Sequence, residues 1–186
     1  MTVVFAASWC KNKTVLDAAC GIGYGSTILK ALGAQGVRGM DLDSNVIEYA
    51  REHQVGTFDV HDLTKPIIFE DQYDVVVSME TFEHVKREDA NQVLLNFKNA
   101  CKDGGKIIIS TPRRITEEFV YRGGTHLYEY DYFDFMTELL KVFKNIKMYY
   151  AAEFRHTSNP NELHTIFTDD KNIEEHTHVF IAVIST

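Results

Sequence analysis

Basic residues are scarce in this chain: 19 Lys and Arg stand against 27 Asp and Glu, a formal net charge of −8 over 186 residues. A protein held mainly by nucleic-acid phosphates needs the opposite balance, so the charge argues against such a partner, with local basic patches leaving it open. Cysteine is scarcer still. Cys10, Cys20 and Cys101 are an odd number without metal-ligand spacing, which argues against a disulfide scaffold and for reduced thiols in a cytoplasmic protein. No apolar run approaches the roughly eighteen residues of a membrane span. The opening MTVVFAAS lacks the basic stretch and the length of a signal peptide. These absences set the expectation of a cytoplasmic protein with no membrane partner.

What is present is ordinary for a globular chain: 45% hydrophobic and 12% aromatic residues, and a length suited to one domain spanning 1–186. The informative stretch is TVLDAACGIGYGS, Thr14 to Ser26. A β-prone apolar run ends at Asp17, glycines follow at 21, 23 and 25, and a helix-forming run begins at Ser26. Strand, glycine turn and helix form the first unit of a nucleotide-binding α/β sheet. The dinucleotide fingerprint would place its third glycine where Ser26 stands, and the lysine of a phosphate-cradling loop is absent, so no pyrophosphate seat is implied. Instead Asp17 closes the strand with a carboxylate able to hold an ammonium group.

The next short strand, VRGMDLD, ends in Asp41, twenty residues after Gly21, about the separation at which an acid meets a ribose hydroxyl in such folds. Leu42 follows it as an apolar residue able to lie against adenine. Together these features resemble motif I and its surroundings in the class I S-adenosylmethionine (SAM) methyltransferases, over roughly 13–184. The resemblance implies a doubly wound, Rossmann-like α/β sheet of seven strands, mostly parallel with the last antiparallel. It implies SAM as cofactor, held by Asp17, Ala19, Gly21, Gly23, Asp41, Leu42, Asp59, Val60 and Ser78, with Asp59 and Val60 at the adenine.

Further along, helices are expected at Ser44–His53 (capped by Ser44), 89–101 and from Asp131 to Leu140, and a buried strand at Tyr73–Glu80. Residues 1–13 are only weakly patterned, and the polar stretch Arg155–His178 reads as a long loop that is mobile without substrate. After the fourth strand comes METFEHV. Glu80, Glu83 and His84 have the i, i+3, i+4 spacing that one helical turn would bring to one side. With His126 they resemble the metal site of small-RNA 2′-O-methyltransferases and, for the E-x-x-E-H portion, of ubiquinone-pathway O-methyltransferases. That resemblance implies a divalent ion of the Mg or Mn type on Glu80, Glu83, His84 and His126. Without an ion, His84 is the candidate general base beside Glu83.

The expected activity is SAM-dependent methylation of a small-molecule or sugar hydroxyl. The alternatives are a metal-dependent RNA 2′-O-methyltransferase and a non-catalytic SAM-binding partner subunit; a homodimer is left open.

Overall fold

A computed structural model of the chain describes residues 2–68, 72–114, 126–156, 159–170 and 177–186, with backbone alone for 153–156, 159–164 and 177. Eight strands form one sheet in the order β3-β2-β1-β4-β5-β8-β6-β7. The strands are β1 Thr14–Ala18, β2 Gly36–Asp41, β3 Thr57–Val60, β4 Tyr73–Ser78, β5 Cys101–Pro112, β6 Asn145–His156, β7 Asn159–Thr168 and β8 Thr177–Ser185. Strands β1 to β5 pair in parallel. The last strand, β8, inserts antiparallel between β5 and β6.

The expected count of seven strands is one short. The extra strand is β7, which pairs antiparallel with β6 inside the stretch read as a loop. Its sequence is polar because it forms the sheet edge, covered on one side only, and Pro160 at its start is tolerated where no ladder partner needs a donor. Residues 157, 158 and 171–176 of that stretch lie outside the described residues.

The helices are α1 Thr2–Cys10, α2 Tyr24–Ala31, α3 Ser44–His53, α4 Ala90–Ala100 and α5 Tyr132–Leu140. Helix α1 escaped the periodicity argument because it is apolar all round. Ala6, Ala7 and Cys10 are buried, while Phe5 and Trp9 pack against Tyr149, and Phe5 stacks on Phe167 of β7. The cap of α3 is Asp43, whose side chain accepts from Asn45 N, rather than Ser44. Asp131 caps α5 as expected, accepting from Asp134 N. The apolar stripe of α4 (Val93, Leu94, Phe97, Ala100) is buried against the sheet. Among the described residues no helix is long and apolar enough to cross a membrane.

The turn after β1 leans on a close contact inside β2. A Cβ at Gly39 would stand 2.7 Å from Cys20 Sγ and 2.7 Å from Phe58 Cδ1. Gly39→Ala is therefore expected to lower the unfolding free energy by about 1–3 kcal/mol through overpacking, read from urea unfolding.

Candidate active site

Parallel pairing puts the C-terminal ends of β1, β2 and β4 side by side, at the edge where α/β sheets bind ligands. Asp17 lies there, 5% exposed, its Oδ2 accepting from Ser26 Oγ at 2.6 Å. Burial pushes its carboxyl up to about 6; the Ser26 bond opposes that shift and the Asp41 charge adds to it. Ser26, which occupies the place of a fingerprint glycine, is thus a partner of the strand-end acid. The turn runs through left-handed backbone at Ala19, Gly21 and Gly23, with φ of 63°, 52° and 77°. A Cβ at Gly25 would stand 3.4 Å from Asp17 Oδ2, so this glycine lies directly against the carboxylate.

Asp41 ties the same turn down: Oδ2 accepts from Gly21 N at 2.8 Å and Oδ1 from Asp43 N at 3.1 Å. Leu42 and Val60 flank it, 70% and 48% exposed, apolar side chains standing free at the same edge. Ser78 ends β4 with a buried Oγ that has no hydrogen-bond partner among the described residues. These features fit an adenosyl ligand: an acid for an ammonium, an acid for a ribose, apolar cover for a ring and an unpaired hydroxyl. Asp59 stands apart, because Arg38 Nε holds its Oδ2 at 2.6 Å.

Beyond β4 the chain does not form the expected helical turn. Glu80 adopts φ 51°, a left-handed conformation that costs about 1–3 kcal/mol in a non-glycine residue, and a 3-10 turn follows at Phe82–His84. After this kink Glu80 no longer shares a helical face with the other two. Its backbone N donates to Ser110 Oγ at 3.0 Å, and Ser110 Oγ donates back to Glu80 Oε1 at 2.5 Å.

Glu83 is 1% exposed in its side chain and accepts from Thr111 Oγ1 at 3.1 Å. Burial, with the Glu80 charge adding to it, pushes its carboxyl up to about 7. The Glu83 carbonyl accepts from Leu127 N at 2.7 Å and Tyr128 N at 3.1 Å, and this brings the preceding residue, His126, onto the turn. The His84 and His126 rings meet edge to face at 4.9 Å. Ligand atoms of Glu83, His84 and His126 all lie within 4.8 Å of one another. His126 Nδ1 also stands 3.1 Å from Glu129 Oε1, the carboxylate–imidazole pairing that orients metal-bound histidines. Three of the four expected ligands thus come together; Glu80 does not join them.

Residues 15–105 match the family described as a methyltransferase domain. Known structures align along the whole chain. A SAM-dependent methyltransferase from Archaeoglobus fulgidus superposes with a TM-score of 0.75 at 17% identity, covering 100% of this chain and 91% of that one. A TehB-like SAM-dependent methyltransferase from Corynebacterium glutamicum gives 0.68 at 20% identity, covering 100% and 85%. The fold is that of the class I SAM-dependent methyltransferases.

Among curated relatives of this chain, a phosphoethanolamine N-methyltransferase of Triticum aestivum is 33% identical over 117 residues, 58% of this chain and 23% of its own length. A ubiquinone biosynthesis O-methyltransferase of Nitrosomonas europaea is 32% identical over 116 residues, 59% of this chain and 48% of its own. The chain thus spans about a quarter to a half of the relatives it matches. His126 and β7 lie beyond the segment matched to the methyltransferase family.

Proposed function

We propose that this chain transfers the methyl group of SAM to a hydroxyl of a small molecule or sugar. The observation that carries the reading is the convergence of Glu83, His84 and His126 just past β4, the strand whose end also carries the unpaired Ser78 hydroxyl. Bound SAM supplies a methyl already activated on a sulfonium, so the protein has to align it and help the acceptor lose a proton. Asp17 holds the ammonium, Asp41 the ribose hydroxyls, Leu42 and Val60 cover the adenine, and Ser78 Oγ takes a polar atom of the cofactor. Asp59 is left out of the set because Arg38 already holds it.

His84 accepts the proton released by the acceptor hydroxyl, with Glu83 orienting the ring. The same donor set, one carboxylate and two imidazoles, suits a divalent ion of the Mn, Co or Zn type, which when bound would favour the deprotonated hydroxyl. Calorimetry with SAM and S-adenosylhomocysteine, with and without Mn²⁺, tests both parts. Both nucleosides are expected to bind; no heat with either overturns the proposal. Mn²⁺ is expected to bind the native chain and to bind His126→Ala more than about tenfold more weakly. Equal Mn²⁺ affinity in the two would remove the ion from the reading.

A further inference from the structure

Glu80, which is not among the three clustered ligands, lines a cleft. This cleft, about 210 Å³, is lined by Thr2, Glu80, Ala151, Thr165, Phe167, His178 and Val179. Two of its walls, Thr165 and Phe167, come from β7, the edge strand outside the segment matched to the family. Its chemistry is uneven. Ala151 and Val179 are apolar, and Phe167 presents a ring. Thr165 Oγ1 is buried and has no hydrogen-bond partner among the described residues. A buried hydroxyl left unpaired costs about 1–3 kcal/mol, so a ligand that satisfies it is favoured. Glu80 has one oxygen taken by Ser110, and its Oε2 has no hydrogen bond to a described residue. No Lys or Arg lines the cleft; its titratable side chains are Glu80 and His178.

We propose that this cleft is the acceptor subsite and that it selects small molecules carrying a protonated amine, held between Glu80 Oε2, Thr165 Oγ1 and the face of Phe167. An ammonium offers three donors, and a carboxylate, a hydroxyl and an aromatic face are the partners it takes. The left-handed backbone at Glu80 and its two bonds with Ser110 then fix the carboxylate in the cleft wall, within electrostatic reach of His84 and His126. The volume, below the roughly 300–1,000 Å³ of drug-sized pockets, limits the acceptor to a compact molecule such as an amino alcohol, an arylethylamine or an amino sugar. The amine anchors the acceptor and a hydroxyl elsewhere on it faces His84.

This rests on the methyltransferase reading, and the experiment separates the two. Three pairs of probes that differ only by an amine in place of a hydroxyl are titrated into the protein with and without S-adenosylhomocysteine: ethanolamine and ethylene glycol, tyramine and tyrosol, glucosamine and glucose. At least one amine is expected to bind about tenfold or more tightly than its hydroxyl partner, the scale of one charged hydrogen bond. Glu80→Gln keeps the Ser110 bond and is expected to abolish that preference while leaving S-adenosylhomocysteine affinity unchanged. Thr165→Val is expected to reduce it several-fold. If no pair shows a preference for the amine, or if Glu80→Gln leaves a preference intact, the subsite assignment is overturned. Binding of S-adenosylhomocysteine in the same samples reports on the methyltransferase reading independently.

Discussion

Asp17→Asn is expected to make the ligand-free protein more stable at pH 8 and a much poorer binder of SAM. Both effects come from one buried carboxylate. Its ordinary value of 3.8 is raised to about 6, by burial first, against the Ser26 bond and with the Asp41 charge adding to the shift. A group whose folded-state value is raised contributes its stability fully below the unfolded value and loses it as pH rises through the folded one. Between about pH 4 and pH 6, folding therefore opposes ionisation of Asp17, and above that window the buried charge costs about 2–3 kcal/mol. Asparagine has no charge to bury, and its Oδ1 can still accept from Ser26.

Chemical unfolding without ligand should show Asp17→Asn about 2–3 kcal/mol more stable than the native chain at pH 8 and nearly equal to it at pH 4. A gain of the same size at both pH values would mean that charge burial is not its cause. For SAM the sign reverses. An amide cannot pair with an ammonium, and losing a charged hydrogen bond of about 1.5–3 kcal/mol weakens binding by roughly ten- to a hundredfold. In the native chain, SAM affinity should rise as pH climbs through about 6 and Asp17 ionises. Stability traded for an ionised group at a ligand edge is the pattern expected where burial serves binding rather than folding.

Local sequence carried most of this. The glycine turn, the strand-end acids and the apolar stripe of α4 all follow from short-range pattern. They are where the sequence reading and the structure agree on the parallel half of the sheet. The antiparallel half was less legible for a physical reason. The edge strand β7 is mostly polar in sequence, so its composition resembles a loop, and only its pairing with β6 makes it a strand. Helix α1 failed in the opposite sense: its residues are apolar on every side, which removes the periodicity by which helices are recognised.

The candidate site divides in the same way. Glu83 and His84 are neighbours in sequence, and His126 reaches them because two backbone amides bond to one carbonyl, Glu83 O, which no spacing rule encodes. Glu80 shared the helical spacing but not the helix, since its left-handed backbone ends the geometry on which that spacing argument rests. Ser26, Ser110, Thr111 and Glu129 each hold one of the acids or histidines. The sequence reading singles out none of these four partners: Ser110 and Thr111 reach the acids across the β4–β5 boundary, and only Glu129 is close in sequence to the residue it holds.

Asp41→Ala is expected to weaken SAM by about ten- to a hundredfold, the scale of charged hydrogen bonds of about 1.5–3 kcal/mol. The structure shows why the effect has two parts. Asp41 already accepts from Gly21 N at 2.8 Å and from Asp43 N at 3.1 Å, so alanine removes a ribose partner and also releases the turn. A carboxylate has about four acceptor sites, and two remain for a pair of ribose hydroxyls. Asp41→Asn separates the parts, because one amide oxygen keeps the bond from Gly21 N while the negative charge and an acceptor oxygen are lost. If the ribose contact dominates, the two variants lose SAM affinity to a similar degree, and only the alanine variant becomes less stable. If anchoring the turn dominates, the asparagine variant binds nearly as well as the native chain. Calorimetry of both variants with S-adenosylhomocysteine, beside urea unfolding of each, decides between them, and native affinity in both would remove Asp41 from the cofactor site.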